Sequence, residues 1–251
     1  MISQAKKISP AESRLSAPAV FVPVPRWKRA LDVTCCLVAL PVLALATLGV
    51  AVLTRLTSPG PVFFRQERVG YRGQKFNLYK FRTMHVRADV TSHQAHFAEL
   101  VRAKTPMQKM DARGDSRMIP GGGLLRAAGL DELPQIINIL RGEMSVVGPR
   151  PCIPYEYEQY APQHRQRFAC APGLTGLWQV SGKNRTTFEE MVQLDIEYSR
   201  RQSPALDLRI ILLTVPTVCG QMAQLRWTKL AARPKNIRTN ILLETAQSSR
   251  D

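Results

Sequence analysis

Apolar residues run almost without a break over residues 33–53, the one candidate membrane segment in the sequence. About twenty apolar residues suffice to cross a bilayer core. Pro41 stands near the middle of the run, where proline removes a helical hydrogen bond and kinks the helix. Each arm beside it has about ten residues, or roughly 15 Å of helix, which reaches only the midplane of a core about 30 Å thick. Arg26, Lys28 and Arg29 precede the run, and Arg55, Arg65, Arg68, Arg72 and Lys75 follow it. The positive-inside rule places both flanks on the cytoplasmic side. A bent, re-entrant helix satisfies both observations, with a single kinked span as the competing reading. A cleavable signal peptide is disfavoured, because the run starts late and no small-residue cleavage site precedes a polar start.

Downstream the periods change. Ser58-Pro59-Gly60-Pro61 stops the helix. Residues 62–68 and 74–81 read as strands and 69–73 as the loop of a hairpin. Residues 88–117 form a variable insertion in which Phe97, Leu100 and Val101 lie on an otherwise polar, helical segment. His93 and His96 fall there at i, i+3 and, with no third ligand nearby, read as a solvated pair. Leu133, Ile136, Ile137 and Leu140 recur at helical spacing and predict a short helix with one buried face. Tyr155, Tyr157 and Tyr160, mixed with Glu156 and Glu158, read as a core-packed helix in preference to an interfacial aromatic belt. Residues 206–218 are apolar but short and contain Asp207, Arg209 and Pro216; they fit a buried or interface-lying helix.

The pattern therefore predicts a mainly helical α+β, monotopic architecture. A flexible tail (1–25) rich in Ser, Pro, Ala and Lys precedes the membrane helix (26–57). A main domain (58–223) with one small hairpin and interface-lying amphipathic helices follows. A basic tail (224–251) suits anionic headgroups.

Composition narrows the partners. The chain of 251 residues carries a net charge of +16, which calls for an anionic partner. No helix-turn-helix punctuation, zinc-finger spacing or RNA-binding aromatic signature accompanies the basic residues. Membrane lipids and a phosphorylated substrate are therefore expected in preference to nucleic acid. The five cysteines, Cys35, Cys36, Cys152, Cys170 and Cys219, form no C-x-x-C pair and have no histidine at zinc-ligand spacing. They fit a reduced, cytoplasmic setting, with Cys35 and Cys36 packing as small hydrophobes. Gly121-Gly122-Gly123 lacks the strand, lysine and hydroxyl of a nucleotide-binding loop, and reads as a turn ahead of Arg126.

The candidate chemistry lies in LDELPQIINILRGEMSVVGPRP, residues 130–151. Asp131 and Glu132 sit just ahead of the short helix, whose first turn carries Pro134. Proline is tolerated there because its missing N–H would have had no partner. The helix's free N–H groups and positive dipole end favour ionised carboxylates, and an ionised aspartate is a usable nucleophile. A lone aspartate at this position would read as a helix cap. Two carboxylates followed by an arginine-bearing GPRP turn make that reading less attractive.

This block resembles the signature of the bacterial sugar transferases that start glycan assembly on a lipid carrier, the monotopic phosphoglycosyl transferases. The similarity extends to SPGPVFFRQERVGYRGQKFNLYKFRTM (58–84) before it. PGLTGLWQVSGKNRTTFEEM (172–191), LDIEY (194–198) and LDLRIILLTV (206–215) follow in the family's order. The resemblance covers roughly residues 27–220 and implies a membrane helix that enters one leaflet and returns. It also implies a cytoplasmic-face enzyme of the bacterial inner membrane that transfers a sugar-1-phosphate from a UDP-sugar to polyprenyl (undecaprenyl) phosphate. UMP is released and exopolysaccharide assembly begins.

On that basis Asp131 is the nucleophile, holding a covalent phosphosugar, and Mg²⁺ is the cofactor. Asp131 and Glu132 are the expected Mg²⁺ ligands, with Glu132 assigned either to the metal or to a proton. Arg126 and Arg150 match family arginines able to clamp phosphate bidentately. Lys80 and Arg82 in YKFRTM are weaker candidates for the same work, or for headgroup binding. Asp195 matches a family carboxylate, with a structural salt bridge to a buried arginine as an equal account. The GLWQVSGKN block looks most like enzymes that start with galactose or glucose.

Overall fold

The computed structural model describes residues 23–85, 106, 117–182 and 185–231. The expectations for most of the N-terminal tail, for residues 88–116 with His93 and His96, and for residues 232–251 lie outside the described residues.

The first element, α1 (Arg26–Thr57), is a continuous helix of 32 residues with Pro41 inside it. It outruns the apolar run at both ends, because the basic and polar flanks also find helical partners. At 1.5 Å per residue it is about 48 Å long. Among the described residues it is the single helix long and apolar enough to cross a bilayer. One stripe, carrying Lys28, Asp32, Cys36, Val50 and Thr54, is buried. Leu37, Val38, Leu45, Leu48, Val52 and Leu56 point outward.

The expected hairpin follows as β1 (Phe63–Val69) and β2 (Lys75–Phe81), antiparallel with Phe63 opposite Phe81 and Val69 opposite Lys75. Its loop is a 3-10 turn, Tyr71–Gly73, with Arg72 and Gly73 in the left-handed region. A side chain at Gly73 would also strike the Tyr157 hydroxyl, so this turn is held to glycine on two counts.

Helix α2 (Gly122–Ala127) leads through the 3-10 turn Leu130–Glu132 into α3 (Gln135–Leu140), with Pro134 at its N-cap. The buried face of α3 differs from the expected one. Ile136 and Ile139 are buried with Gln135 and Asn138, while Leu133, Ile137 and Leu140 are half-buried. The polar Asn138 goes inside because every arm of its amide is used. Its Oδ1 accepts from the Tyr79 N–H at 3.0 Å, and its Nδ2 donates to the Asn77 carbonyl and to Glu143 Oε2, each at 2.7 Å. Buried amides are tolerated when satisfied in this way.

Two three-residue strands, β3 (Ser145–Val147) and β4 (Gly173–Thr175), pair in parallel. Between them lie α4 (Pro154–Gln159) and the 3-10 segment Pro162–Ala169. Then come α5 (Leu177–Val180), α6 (Phe188–Arg201) and α7 (Pro204–Ala231). A capping box in which Thr187 and Glu190 bond reciprocally starts α6. Helix α7 runs through Pro216 well past the expected end at residue 218, and it is not buried. Asp207 and Ile210 face inward, while Leu208, Leu212, Leu213 and Val215 are exposed.

Three apolar clusters hold these pieces together. Tyr160, Phe168, Trp178, Phe188, Met191 and Ile196 form the largest, with Tyr155 and Tyr157 packed on it, so the tyrosines belong to the core. Cys36, Leu78, Ile136, Ile139 and Met144 join α1, β2 and α3. Val147, Cys170, Tyr198 and Ile210 join β3, α6 and α7. Burial of Cys36 as a small apolar group matches its expected role.

Candidate active site

Asn138 sets the first side of the site. By hydrogen-bonding β2 on both sides of Leu78, it fixes the hairpin against α3. Lys80 then lies beside the carboxylate turn, and its Nζ donates to Glu132 Oε1 at 2.9 Å.

The second side is built by backbone approaching backbone. Gly148 N donates to the Thr175 carbonyl and Gly173 N to the Pro149 carbonyl, each at 2.8 Å. A Cβ at Gly173 would collide with Gly148, and one at Gly148 with the Ala171 carbonyl. The GPRP and PGLTG motifs are glycine-bearing because nothing larger fits between them. Their close approach presents Arg150, Pro151, Gly173 and Leu174 to a cleft that is also lined by Arg68, Leu78, Lys80, Glu132, Gln135 and Gln179.

Beneath Arg150 sits a buried support. Arg167 Nη2 donates to the Arg150 carbonyl at 3.0 Å and to Asp195 Oδ2 at 2.5 Å, and Arg167 Nη1 donates to the Tyr160 hydroxyl. Burial pushes the Asp195 carboxyl up to about 6 against the pull of Arg167. Asp195 thus has the structural arginine partner that was one of its two expected roles, and it acts through the backbone that carries Arg150.

The structure brings Glu132, Lys80 and Arg150 together on the cleft. Asp131 occupies the same turn as Glu132, is 7% exposed and is held by an intramolecular contact. Arg126, near the end of α2, also has an intramolecular partner and is not among the lining residues. Arg82 points elsewhere. It is buried and donates to the Pro61 carbonyl at 2.7 Å, to Ser58 Oγ at 2.9 Å and to the Ser58 carbonyl. It ties the end of β2 to the end of α1.

Three polar lining residues were not singled out as site residues by the sequence. Gln135 and Gln179 carried no signal as lone amides. Arg68 read as part of the basic flank of the membrane helix, yet it is 7% exposed. Its Nη1 donates to the Pro151 carbonyl at 3.1 Å and its Nη2 to Gln66 Oε1 at 2.6 Å. Burial first, and Arg150 second, pull its guanidinium down to about 10. The available signal was Arg68's place in the FFRQERVG motif. Among the described residues no three His, Cys, Asp or Glu side chains converge as a metal cluster.

Three cations facing one carboxylate, with a second carboxylate in the same turn, make a site for phosphate chemistry. Known proteins with related sequences agree with that chemistry. The model of a family described as bacterial sugar transferase matches residues 24–221. The chain is 38% identical over 192 residues to the exopolysaccharide production protein ExoY of Rhizobium meliloti, covering 76% of this chain and 85% of that protein. It is 38% identical over 213 residues to a UDP-glucose:undecaprenyl-phosphate glucose-1-phosphate transferase of Caulobacter vibrioides, covering 82% and 74%. Galactosyl transferase CpsE of Streptococcus agalactiae is 38% identical over 192 residues, covering 76% of this chain and 42% of that protein.

Proposed function

This chain belongs to the bacterial sugar transferase family, and from that premise we propose that it moves a hexose-1-phosphate from a UDP-sugar to polyprenyl phosphate on the cytoplasmic face of the inner membrane. The observation that carries this reading is the cleft in which Glu132, one residue from Asp131, faces Lys80, Arg68 and Arg150. In the proposed reaction an Asp131 carboxylate oxygen attacks the sugar-side phosphorus. The bond to the bridging oxygen breaks, and UMP leaves with that electron pair. The lipid phosphate then attacks the aspartyl phosphosugar, forming the lipid diphosphosugar and freeing Asp131. Each step brings negative groups together, so cations aimed at the phosphates are the main requirement. Arg150 meets it from a backbone held by Arg167, and Lys80 from a strand held by Asn138. The names of relatives that use glucose or galactose support a hexose.

The donor set fits Mg²⁺. Two adjacent carboxylates, with no cluster of three such ligands among the described residues, would suit an ion that keeps several waters. Asp131 and Glu132 would hold it, and when bound it supplies positive charge to the phosphate oxygens. Lys80 holds Glu132 in place meanwhile.

The two ends of α1 support a re-entrant topology. At the first, Arg29 donates to the Ile139 carbonyl at 2.5 Å and the Leu140 carbonyl at 2.6 Å. At the other, Ser58 bonds Arg82, and Leu53 lies against Gly121. A helix driven straight through the bilayer would part these ends to opposite sides. Cysteines placed at Val24 and Thr57 in a cysteine-free background should both resist an impermeant maleimide applied to the outside of intact cells. Labelling of either one would show a span.

The chemical test omits the lipid. With UDP-glucose or UDP-galactose and Mg²⁺, the protein should release about one UMP per active site, the burst of covalent catalysis. The labelled sugar should stay on the protein until polyprenyl phosphate is added. Asp131→Asn should abolish both steps, since the amide is nearly isosteric yet not nucleophilic. Release of UMP only after lipid addition would establish direct attack by the lipid phosphate instead.

A further inference from the structure

The cleft holds more binding capacity than the proposed chemistry uses. Arg68 and Gln179, each more than nine-tenths buried, both line it, and each has a buried polar atom without a partner among the described residues: Arg68 Nε and Gln179 Oε1. The side chains of Arg150 and Gln135 form no hydrogen bond to any described residue either.

Buried arginines are normally matched to carboxylates, and this chain does so elsewhere with Arg167 and Asp195. Arg68 hydrogen-bonds instead to a carbonyl and an amide oxygen, with the Arg150 guanidinium opposing its charge more strongly than the nearby Glu156 and Glu132 carboxylates favour it. Two arginines that repel one another across a cleft, with no carboxylate hydrogen-bonded to either among the described residues, make a place that an anion between them would stabilise. The neighbouring carboxylate, Glu132, is already bonded to Lys80. A diphosphate, with one negative charge on each phosphorus, matches a pair of guanidiniums better than a single phosphate does.

Gln179 answers a different question. Its Nε2 donates to the Leu174 carbonyl at 3.0 Å, and that bond fixes which end of the amide is the donor. Oε1 is left as an acceptor in a cationic cleft. An ionised phosphate has no proton to give it, so its complement is a hydroxyl or an N–H on whatever the diphosphate carries.

We propose that Arg68 and Gln179 are substrate-binding residues of this cleft, Arg68 with Arg150 gripping a diphosphate and Gln179 Oε1 accepting from a hydroxyl or N–H of an attached group. This assignment rests on the cleft being the UDP-sugar site. It adds the means by which a nucleoside diphosphate is preferred to a monophosphate, so that UMP, once formed, is the weaker ligand.

The test is equilibrium binding to full-length Asp131→Asn protein in lipid nanodiscs with Mg²⁺, where no turnover consumes the ligand. The ligands are UDP-glucose, UDP, UMP and inorganic pyrophosphate. Arg68→Gln should weaken UDP by about tenfold or more, the loss expected of a charged hydrogen bond, and weaken UMP by much less. Gln179→Met should spare pyrophosphate. Weakening of UDP and UDP-glucose alike would place the donor on the nucleoside, and weakening of UDP-glucose alone would place it on the sugar. If both variants bind all ligands within about twofold of the parent, the assignment is wrong. Should Arg68→Gln lose its cooperative melt, Gln179→Met decides alone, since it removes one hydrogen bond to a carbonyl. A parent that binds neither UDP nor UDP-glucose overturns the reading of the cleft itself, and this assignment with it. Normal binding by the parent with unaffected variants overturns the assignment only.

Discussion

Two clusters built on lysine and arginine meet the chain three residues apart, at Val147 and at Arg150, and are treated in opposite ways. Lys28, 1% exposed, donates its three protons to the Val147 carbonyl and the Tyr198 hydroxyl, each at 2.8 Å, and to Asp207 Oδ2 at 2.5 Å. Tyr198 in turn donates to Asp207 Oδ1 at 2.7 Å. The ammonium has three donors, and all are used. At the cleft, reached from the same strand three residues later, Arg150 and Arg68 keep donors in reserve. A fully satisfied buried charge positions the backbone, whereas donors left over beside the cleft are what the proposed grip uses; the spare Arg167 Nε is not on the cleft. Charge alone does not separate the two. The census of partners, taken with place on the cleft, does.

The sharpest way to break the contrast is to unbalance the satisfied cluster. Lys28→Met leaves Asp207 buried without its cation and should cost about 3–5 kcal/mol of stability, read as a lowered melting temperature in nanodiscs. Lys28→Met with Asp207→Leu should regain much of that loss, because no charge is then left unpaired. A single variant as stable as the parent would show that the cluster is solvated.

The reserved cluster should behave the other way. Arg150→Gln removes a donor that no described residue uses, so stability should stay within about 0.5 kcal/mol. Turnover should fall by about tenfold to a hundredfold, the worth of a charge-assisted hydrogen bond. A large drop in melting temperature with normal turnover would reverse the roles of the two clusters.

The gentlest probe is pH. Asp195 is held up to about 6 by burial, despite Arg167, while the unfolded chain loses that proton near its ordinary 3.8. Between those values the folded protein holds a proton that the unfolded chain lacks. Stability should therefore decline as pH rises through this window and level off above it. Asp195→Asn should remove that slope in denaturant titrations at successive pH values, whatever it does to the absolute stability.

Long-period features were legible in the sequence. The apolar run, the Pro-Gly stop, the hairpin and the carboxylate turn each carry a period or a backbone requirement of their own. Arg150 was legible because GPRP belongs to the block that resembles the family signature, and the fold brings it to the cleft. The β3–β4 pair was not, since three residues are too few to show an alternation. Ile139 and Asn138 replaced Ile137 and Leu140 on the inner face of α3 because β2 supplied partners for the amide, which no local pattern records. Arg68 was hidden by its company, one basic residue among several flanking a membrane helix. Lys28 read as part of the basic flank and Asp207 as one charge in a short apolar helix, and the fold joins them across 179 residues.

The first turns of α1 also finish strand β3: Asp32 Oδ1 accepts from Ser145 Oγ and from Val146 N, each at 2.8 Å, and Lys28 grips the next carbonyl. The long apolar helix and the strand that leads to Arg150 are therefore one cooperative unit. A version of the domain clipped free of residues before Ser58 would carry an orphaned Asp207 and a strand short of its partners. Docking of α1 and placement of Arg150 are therefore thermodynamically linked, so whatever loosens the helix also loosens the backbone that leads to the cleft.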